Sequence, residues 1–369
     1  MLENMIRRGE KMAVYILIIV IILISSIKLR YQNNLNNFCK SDTILCKSDT
    51  TTINGICALL IFLSHSTQYW PLSSGFFDNV YGHVQNIHNQ WVVAPFLAFS
   101  GYGVMLQIMK SGAKREYVRS YPYKRLLKTL INFDIAVVLY WVVSFLLGIQ
   151  YEPSVILGSL FGITSVGNSN WYIFAILILY IFSYIAALIF KGNYKSQVLL
   201  ISFLCVGYCL LMWIIGFEMR FYSTAMCYSL GAFIALEKEK IVEGIRKKKM
   251  ITIFLLMLVI LLTYKLRFNA FIMNISSVTV VLAIVWFLCF FEIKSKVLYF
   301  FGKHAFGIFI LQRIPGLIFY NLFGDGANKY VVIITDFTIT IIIAMLYDEF
   351  LYYVDRKIIN LIEGKNKDG

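Results

Sequence analysis

The 369-residue sequence predicts an all-α, polytopic integral-membrane protein of about ten to eleven transmembrane helices. Composition carries the first part of that expectation: hydrophobic residues make up 59%, charged residues only 15%, and mean hydropathy is +0.72. Patterning carries the second, because the apolar residues gather into runs long enough to cross a hydrocarbon layer about 30 Å thick. Alternation of basic and uncharged connections between these runs carries the third.

In chain order the runs fall at 13–27, 55–70, 91–109, 130–149, 171–190, 197–215, 221–236, 250–264, 271–291, 305–323 and 331–353. The first follows Arg7, Arg8 and Lys11 and reads as an uncleaved signal-anchor segment. The Gly-containing stretch 154–166 is weaker and reads as re-entrant or loop. Connection 110–128 carries Lys110, Lys114, Arg115, Arg119, Lys124, Arg125 and Lys128, whereas 71–90 and 150–170 carry no Lys or Arg. Because such residues are retained on the cytoplasmic side during insertion, 110–128, 237–250, 292–304 and the tail after Arg356 are placed in the cytoplasm of a multi-pass cell-membrane protein. Residues 1–50 then form a signal-anchor-like helix and basic loop, 51–355 the membrane domain, and 356–369 a short basic tail.

The net charge of +14 is thereby a topology signal. No nucleic-acid module or stacking platform lies among the basic residues, so no nucleic-acid partner is expected. Cys57, Cys205, Cys209, Cys227 and Cys289 sit in apolar runs as small hydrophobes, and Cys39 and Cys46 read as reduced cytoplasmic thiols. No Cys/His spacing suits a metal.

His65 stands out in the run INGICALLIFLSHSTQYW. Counting from Asn54 at about 1.5 Å per residue, the ring lies roughly 16 Å along a helix and therefore deep in the hydrocarbon layer. Ionisable groups at such depth are functional candidates by default. The bland alternative is a packed ring bonded to a backbone carbonyl.

Five segments together resemble the membrane acyltransferase 3 family. The run from Asn54-Gly55 to Ser64-His65 is similar to its first core helix, where a basic residue and a Gly precede a histidine eleven positions after the basic residue. Phe96-Leu97-Ala98-Phe99-Ser100-Gly101-Tyr102 resembles its aromatic Ser-Gly segment, and Tyr123-Lys124-Arg125-Leu126-Leu127-Lys128 its following Arg-x-x-Arg/Lys motif. Asn170-Trp171-Tyr172-Ile173 resembles the Trp-Tyr/Phe start of a later helix, and Phe301-Gly302-Lys303 through Phe309-Ile310-Leu311-Gln312 a late Gly-Lys segment ending in His. The resemblance covers about residues 51–353, with two departures: the basic residue is Asn54 here, and the late His is Gln312.

The resemblance implies transfer of an acyl group, usually acetyl from acetyl-CoA, to a hydroxyl of a cell-surface glycan or lipid-linked sugar. An alcohol is a poor nucleophile at neutral pH, so His65 is read as the general base, or alternatively as the acyl carrier. Gln312 joins it as a candidate catalytic residue that orients the acceptor hydroxyl or hydrogen-bonds to His65. Arg125 and Lys128, three apart and so on one helix face, are the candidate phosphate contacts for the coenzyme, with topological anchoring as their alternative. Asn54, Ser100, Trp171 and Arg313 are candidate substrate contacts. Arg313 lies inside an apolar run and calls for a partner, with Asp134, Asp336 or an acidic substrate as the options. Ser100-Gly101 reads first as a close helix approach, Trp171 and Tyr172 as interface anchors, and Arg220 as a partner of Glu218. A transporter or flippase of a polar lipid or glycan is the competing class; no inverted repeat supports it.

Overall fold

The computed structural model describes residues 26–29, 45–72, 74–112, 115–324 and 328–365. Apart from one small ribbon, the described chain is helical: α1 (Lys47–Tyr69), α2 (Phe76–His88), α3 (Ala94–Lys110), α4 (Arg115–Tyr121), α5 (Lys128–Leu146), α6 (Pro153–Leu160), α7 (Trp171–Ile189), α8 (Tyr194–Ile215), α9 (Met226–Lys247), α10 (Lys249–Tyr264), α11 (Ala270–Phe290), α12 (Lys296–Lys303), α13 (Ala305–Leu311), α14 (Arg313–Phe323) and α15 (Lys329–Lys365). Local chemistry sets the ends. The Asn193 side chain accepts from Ser196 N–H at the start of α8, and Gly216, at φ +82°, closes that helix in a left-handed turn. Asn269 and Ser295 cap α11 and α12 in the same manner.

Among the described residues, seven helical stretches are long and apolar enough to cross a membrane: Gln90–Lys110, Glu116–Leu146, Trp171–Ile189, Tyr194–Ile215, Ala270–Phe290, Ala305–Phe323 and Lys329–Lys357. The expected ten to eleven are not reached on that measure. The 23-residue α1 and the 22-residue α9 are as long but carry many more polar groups, and α10 has only 16 residues. The expected span at 13–27 lies outside the described residues except for Ser26 and Ile27; Ile27–Leu29 is a strand (β1) paired antiparallel with Phe291–Ile293 (β2). Gly-containing 154–166 is the short α6 followed by a folded loop, held by Asn170 Nδ2 donating to Gly162 O at 2.9 Å.

The outside of the bundle is apolar, with Leu199, Phe203 and Ile214 each at least 70% exposed, as a lipid-facing surface requires. Two glycine crossings fix the inside. A Cβ at Gly101 would stand 2.1 Å from Tyr228 O and one at Gly231 1.8 Å from Ala98 O, so α3 and α9 touch backbone to backbone. Gly55 and Gly302 do the same for α1 and α12, against Leu298 O and Thr51 O. Both crossings press directly on the residues that follow.

Candidate active site

Helix α1 presents one functional face. Lys47, Asn54, Ile61 and His65 recur at intervals of seven, seven and four residues, which at 3.6 residues per turn stacks them along a single stripe. Lys47 and Thr50 border a wide hollow of about 880 Å³ whose rim carries Lys110, Lys195, Lys238 and Lys240. Further along the stripe, Asn54 and Ile61 line a narrower cavity of about 370 Å³.

That narrower cavity is lined by both cations and aromatic rings. Lys124, Arg125, Lys128 and Lys303 share its wall with Phe96, Tyr172, Phe306 and Phe309, and with Ser100. Ser100 and Tyr172 share a side-chain hydrogen bond, and Tyr172 meets Phe96 and Phe309 edge to face. The Asn54 Oδ1 atom is buried without a partner. A buried orphan acceptor in a cavity wall is an unused contact for a donor group.

Arg125 sits on a π-helical turn, Pro122–Leu127, of the kind that widens a helix where a side chain must be re-aimed. Its guanidinium is surrounded by Tyr117, Tyr121, Tyr180 and Tyr228. Of these, Tyr228 shares a hydrogen bond with Ser183 at 2.7 Å, whereas the hydroxyl groups of Tyr117 and Tyr121 are buried without a partner. No ion pair among the described residues includes Arg125. Lys128, by contrast, pairs with Asp355 at 2.6 Å and is 45% exposed. The two cations expected to act together are therefore unequal: among the described residues Lys128 has a carboxylate partner and Arg125 has none.

One turn beyond Ile61, His65 meets Arg313. Arg313 Nη2 donates to His65 Nδ1 at 3.0 Å, and a guanidinium has no lone pair to offer, so Nδ1 is the acceptor. A break between α13 and α14 aims the arginine. Pro315 lacks an N–H for Leu311 O, and the Phe309 carbonyl, which would accept from Arg313 N–H in an unbroken helix, accepts instead from Gln312 Nε2 at 3.0 Å. Arg313 N–H donates to Tyr140 Oη at 3.2 Å. Gln312 is thus engaged in bridging the break; its Oε1 is buried and unpartnered.

The cavity brings Asn54, Ser100, Arg125 and Lys128 together. His65 and Arg313, with Gln312 next to Arg313 in the chain, lie outside that lining; Ile61 and Phe309, which belong to it, precede them by about one turn. Trp171 joins neither: it is 8% exposed and packs edge to face on Tyr172, because the loop 161–170 covers the start of α7. Both aromatics face inward, which corrects their expected place as interface anchors. Of the partners expected for Arg313, the two carboxylates are corrected. Asp336 accepts from Thr340, Asp134 borders an apolar groove with Leu139 and Ile343, and neither forms an ion pair with Arg313. Arg220 pairs with Glu218 at 2.7 Å. Lys303, Asn132, Tyr140 and Tyr180 are site residues that sequence reasoning passed over; only Lys303, inside the Phe-Gly-Lys motif, carried a signal. His304, hydrogen-bonded to Asp348 at 2.6 Å, was likewise passed over. No metal-binding group of His, Cys, Asp and Glu occurs among the described residues.

Residues 52–347 match the sequence model of a family described as an acyltransferase domain. Neither the curated proteins nor the solved structures compared with the chain give a match.

Proposed function

The chain belongs to the membrane acyltransferase 3 family, and on that premise we propose that it is an O-acetyltransferase that takes acetyl from acetyl-CoA on the cytoplasmic side of the cell membrane and transfers it to a hydroxyl of a surface glycan or lipid-linked sugar. One observation carries the reading: a cavity lined by Lys124, Arg125, Lys128 and Lys303 also takes in Asn54 and Ile61 of the α1 stripe, and Ile61 is one turn from His65. At about 370 Å³ it lies within the usual range for small-molecule sites.

In this reading the pyrophosphate and 3′-phosphate of the coenzyme bind at Arg125 and Lys303, with Lys124 and Lys128 at the rim. The thioester arm extends between Phe96, Tyr172 and Phe309 past Asn54 and Ser100. Asn54 is eleven residues from His65, about 16 Å along the helix, so it contacts the arm and not the reacting carbon. His65 acts at the far end. It takes the proton of the acceptor hydroxyl as the oxygen attacks the thioester carbonyl, the carbon–sulfur bond breaks, and the proton passes to the departing thiolate. The C-terminal end of α15 lies on the cytoplasmic side, with Asp355 holding Lys128.

Membranes containing the protein are incubated with acetyl-CoA labelled in its acetyl group, beside an equally expressed His65→Ala variant. Incorporation into envelope glycans that depends on His65 supports the reading. Incorporation that survives removes His65 as the base, and none by the wild type, with no binding of acetyl-CoA, turns the assignment toward a transporter.

A further inference from the structure

A carboxylate that orients a histidine base accepts from Nδ1–H and leaves Nε2 free to take a proton. His65 is held in the opposite sense. Arg313 donates to Nδ1, so the ring proton resides on Nε2, and Gln68, one turn outward, lies within hydrogen-bonding reach of the ring. The ring's one basic nitrogen is capped.

The residue that caps it has no counterion. Arg313 is half-buried, its Nε is buried without a partner, and no carboxylate of the described residues pairs with it. Asp336 lies in the same neighbourhood but takes its hydrogen bond from Thr340; Tyr69 and Tyr140 supply the nearest hydroxyl groups. Arg220, the second cation whose field reaches both His65 and Arg313, is occupied by Glu218. A half-buried guanidinium with a buried, unused donor and only an imidazole for a side-chain partner is a site for an anion.

We propose that Arg313 recognises an acidic group on the acceptor, a phosphodiester or a carboxylate beside the hydroxyl to be acylated, and that this contact uncaps Nδ1 of His65 so that Nδ1 becomes the base. The proposal rests on the O-acetyltransferase reading above. An ionised oxygen pair engages a guanidinium in bidentate fashion and outcompetes a neutral ring nitrogen. The acceptor hydroxyl then gives its proton to Nδ1 as its oxygen bonds to the thioester carbon. The carbon–sulfur bond breaks, the thiolate takes that proton, and the ring returns to the neutral form that Arg313 caps. The Nε2 proton stays in place throughout, so no tautomer exchange is needed. An acceptor without an acidic group leaves Nδ1 capped and reacts slowly.

The full-length protein in lipid vesicles, given labelled acetyl-CoA, is offered three hydroxyl-bearing acceptors of similar length: a glycerol-phosphate oligomer, a uronate oligosaccharide and a neutral hexose oligosaccharide. Wild-type kcat/KM for one of the anionic acceptors is expected to exceed that for the neutral one by about tenfold or more. Whichever anionic acceptor is preferred identifies the acidic group. Arg313→Gln should bring the ratio near one, and Arg313→Lys should retain part of the preference. Equal wild-type rates on all three, or a preference that survives Arg313→Gln, would overturn the proposal and leave the acetyltransferase reading intact. The wild-type comparison needs no variant to fold. Absence of transfer to all three, together with failure of the envelope-glycan assay, sinks the reading itself.

Discussion

Arg313 and His65 are 248 positions apart in the chain and 3.0 Å apart in the fold, joined by a hydrogen bond from the guanidinium Nη2 to the ring Nδ1. Two helices meet at that bond, one continuous and one broken, and the break is what turns the arginine toward the ring.

Removing the ring should stop chemistry and spare the fold. His65→Ala is expected to lower kcat by about a hundred- to ten-thousand-fold, the span that general-base catalysis supplies. Acetyl-CoA affinity, measured by calorimetry on the purified protein, should change little, because the proposed phosphate contacts lie near the other end of the α1 stripe. Loss of coenzyme binding in this variant would contradict the separation of His65 from those contacts.

Arg125 and Lys128 should respond unequally. Arg125→Gln deletes a cation that has only tyrosines around it, and KM for acetyl-CoA should rise roughly ten- to hundredfold, the worth of one or two charge-assisted hydrogen bonds. Lys128→Gln removes a cation already paired with Asp355, so its effect should stay within about threefold. Steady-state rates over a range of acetyl-CoA concentrations separate the two; equal effects would argue against the assignment of Arg125.

Mending the helix should harm activity without harming stability. Pro315→Ala restores an N–H for Leu311 O and favours return of Arg313 N–H to the Phe309 carbonyl, away from Tyr140. The arginine then turns from His65. We expect a thermal midpoint in detergent equal to or above that of the wild type, together with a fall in kcat. Unchanged turnover would mean that the break has no part in aiming Arg313.

Glycine positions divide by what surrounds them. Gly231→Ala would force a methyl group to within 1.8 Å of Ala98 O and should cost about 1–3 kcal/mol. Gly103→Ala, with nothing within 4 Å of the new carbon, should stabilise α3 by up to about 1 kcal/mol. Thermal unfolding of the two purified variants gives the comparison.

Sidedness can be checked at the two ends of α10. In a background lacking Cys39 and Cys46, Lys265→Cys should react with an impermeant maleimide on intact cells and Lys247→Cys only after permeabilisation. The reverse labelling would place Arg125 on the outer side, where no cytoplasmic coenzyme reaches it.

His65 was legible in the sequence because an ionisable group in an apolar run breaks a single-segment rule that needs no partner to notice. Arg125 was legible for a similar reason, as part of a local motif on one helix face. The partner of Arg313 was not. Charge alone pointed to Asp134 or Asp336, but partnership is decided by how Pro315 and Gln312 rotate α14, and that depends on Tyr140 from a distant helix. Trp171 looked like an interface anchor because aromatic residues at helix ends usually are; whether a loop folds back over such an end is a tertiary fact. The helix count suffered from the opposite effect, since α1 carries the polar stripe that the site needs and so loses the apolarity by which a span is recognised.

That stripe also governs how the protein relates to the membrane potential. In the proposed reaction, with the phosphates of the donor held at Arg125, the ionised part of the coenzyme would stay at one end of α1 while only the uncharged arm and acetyl group extend toward His65. Each turnover would send an acetyl group outward and return a hydrogen to the thiol, an exchange that moves no net charge. A voltage acts at about 2.3 kcal/mol per elementary charge per 100 mV, and here it would find no charge to act on. Acyl transfer along the proposed route would be electrically silent and draw on no ion gradient, its driving force being the thioester alone.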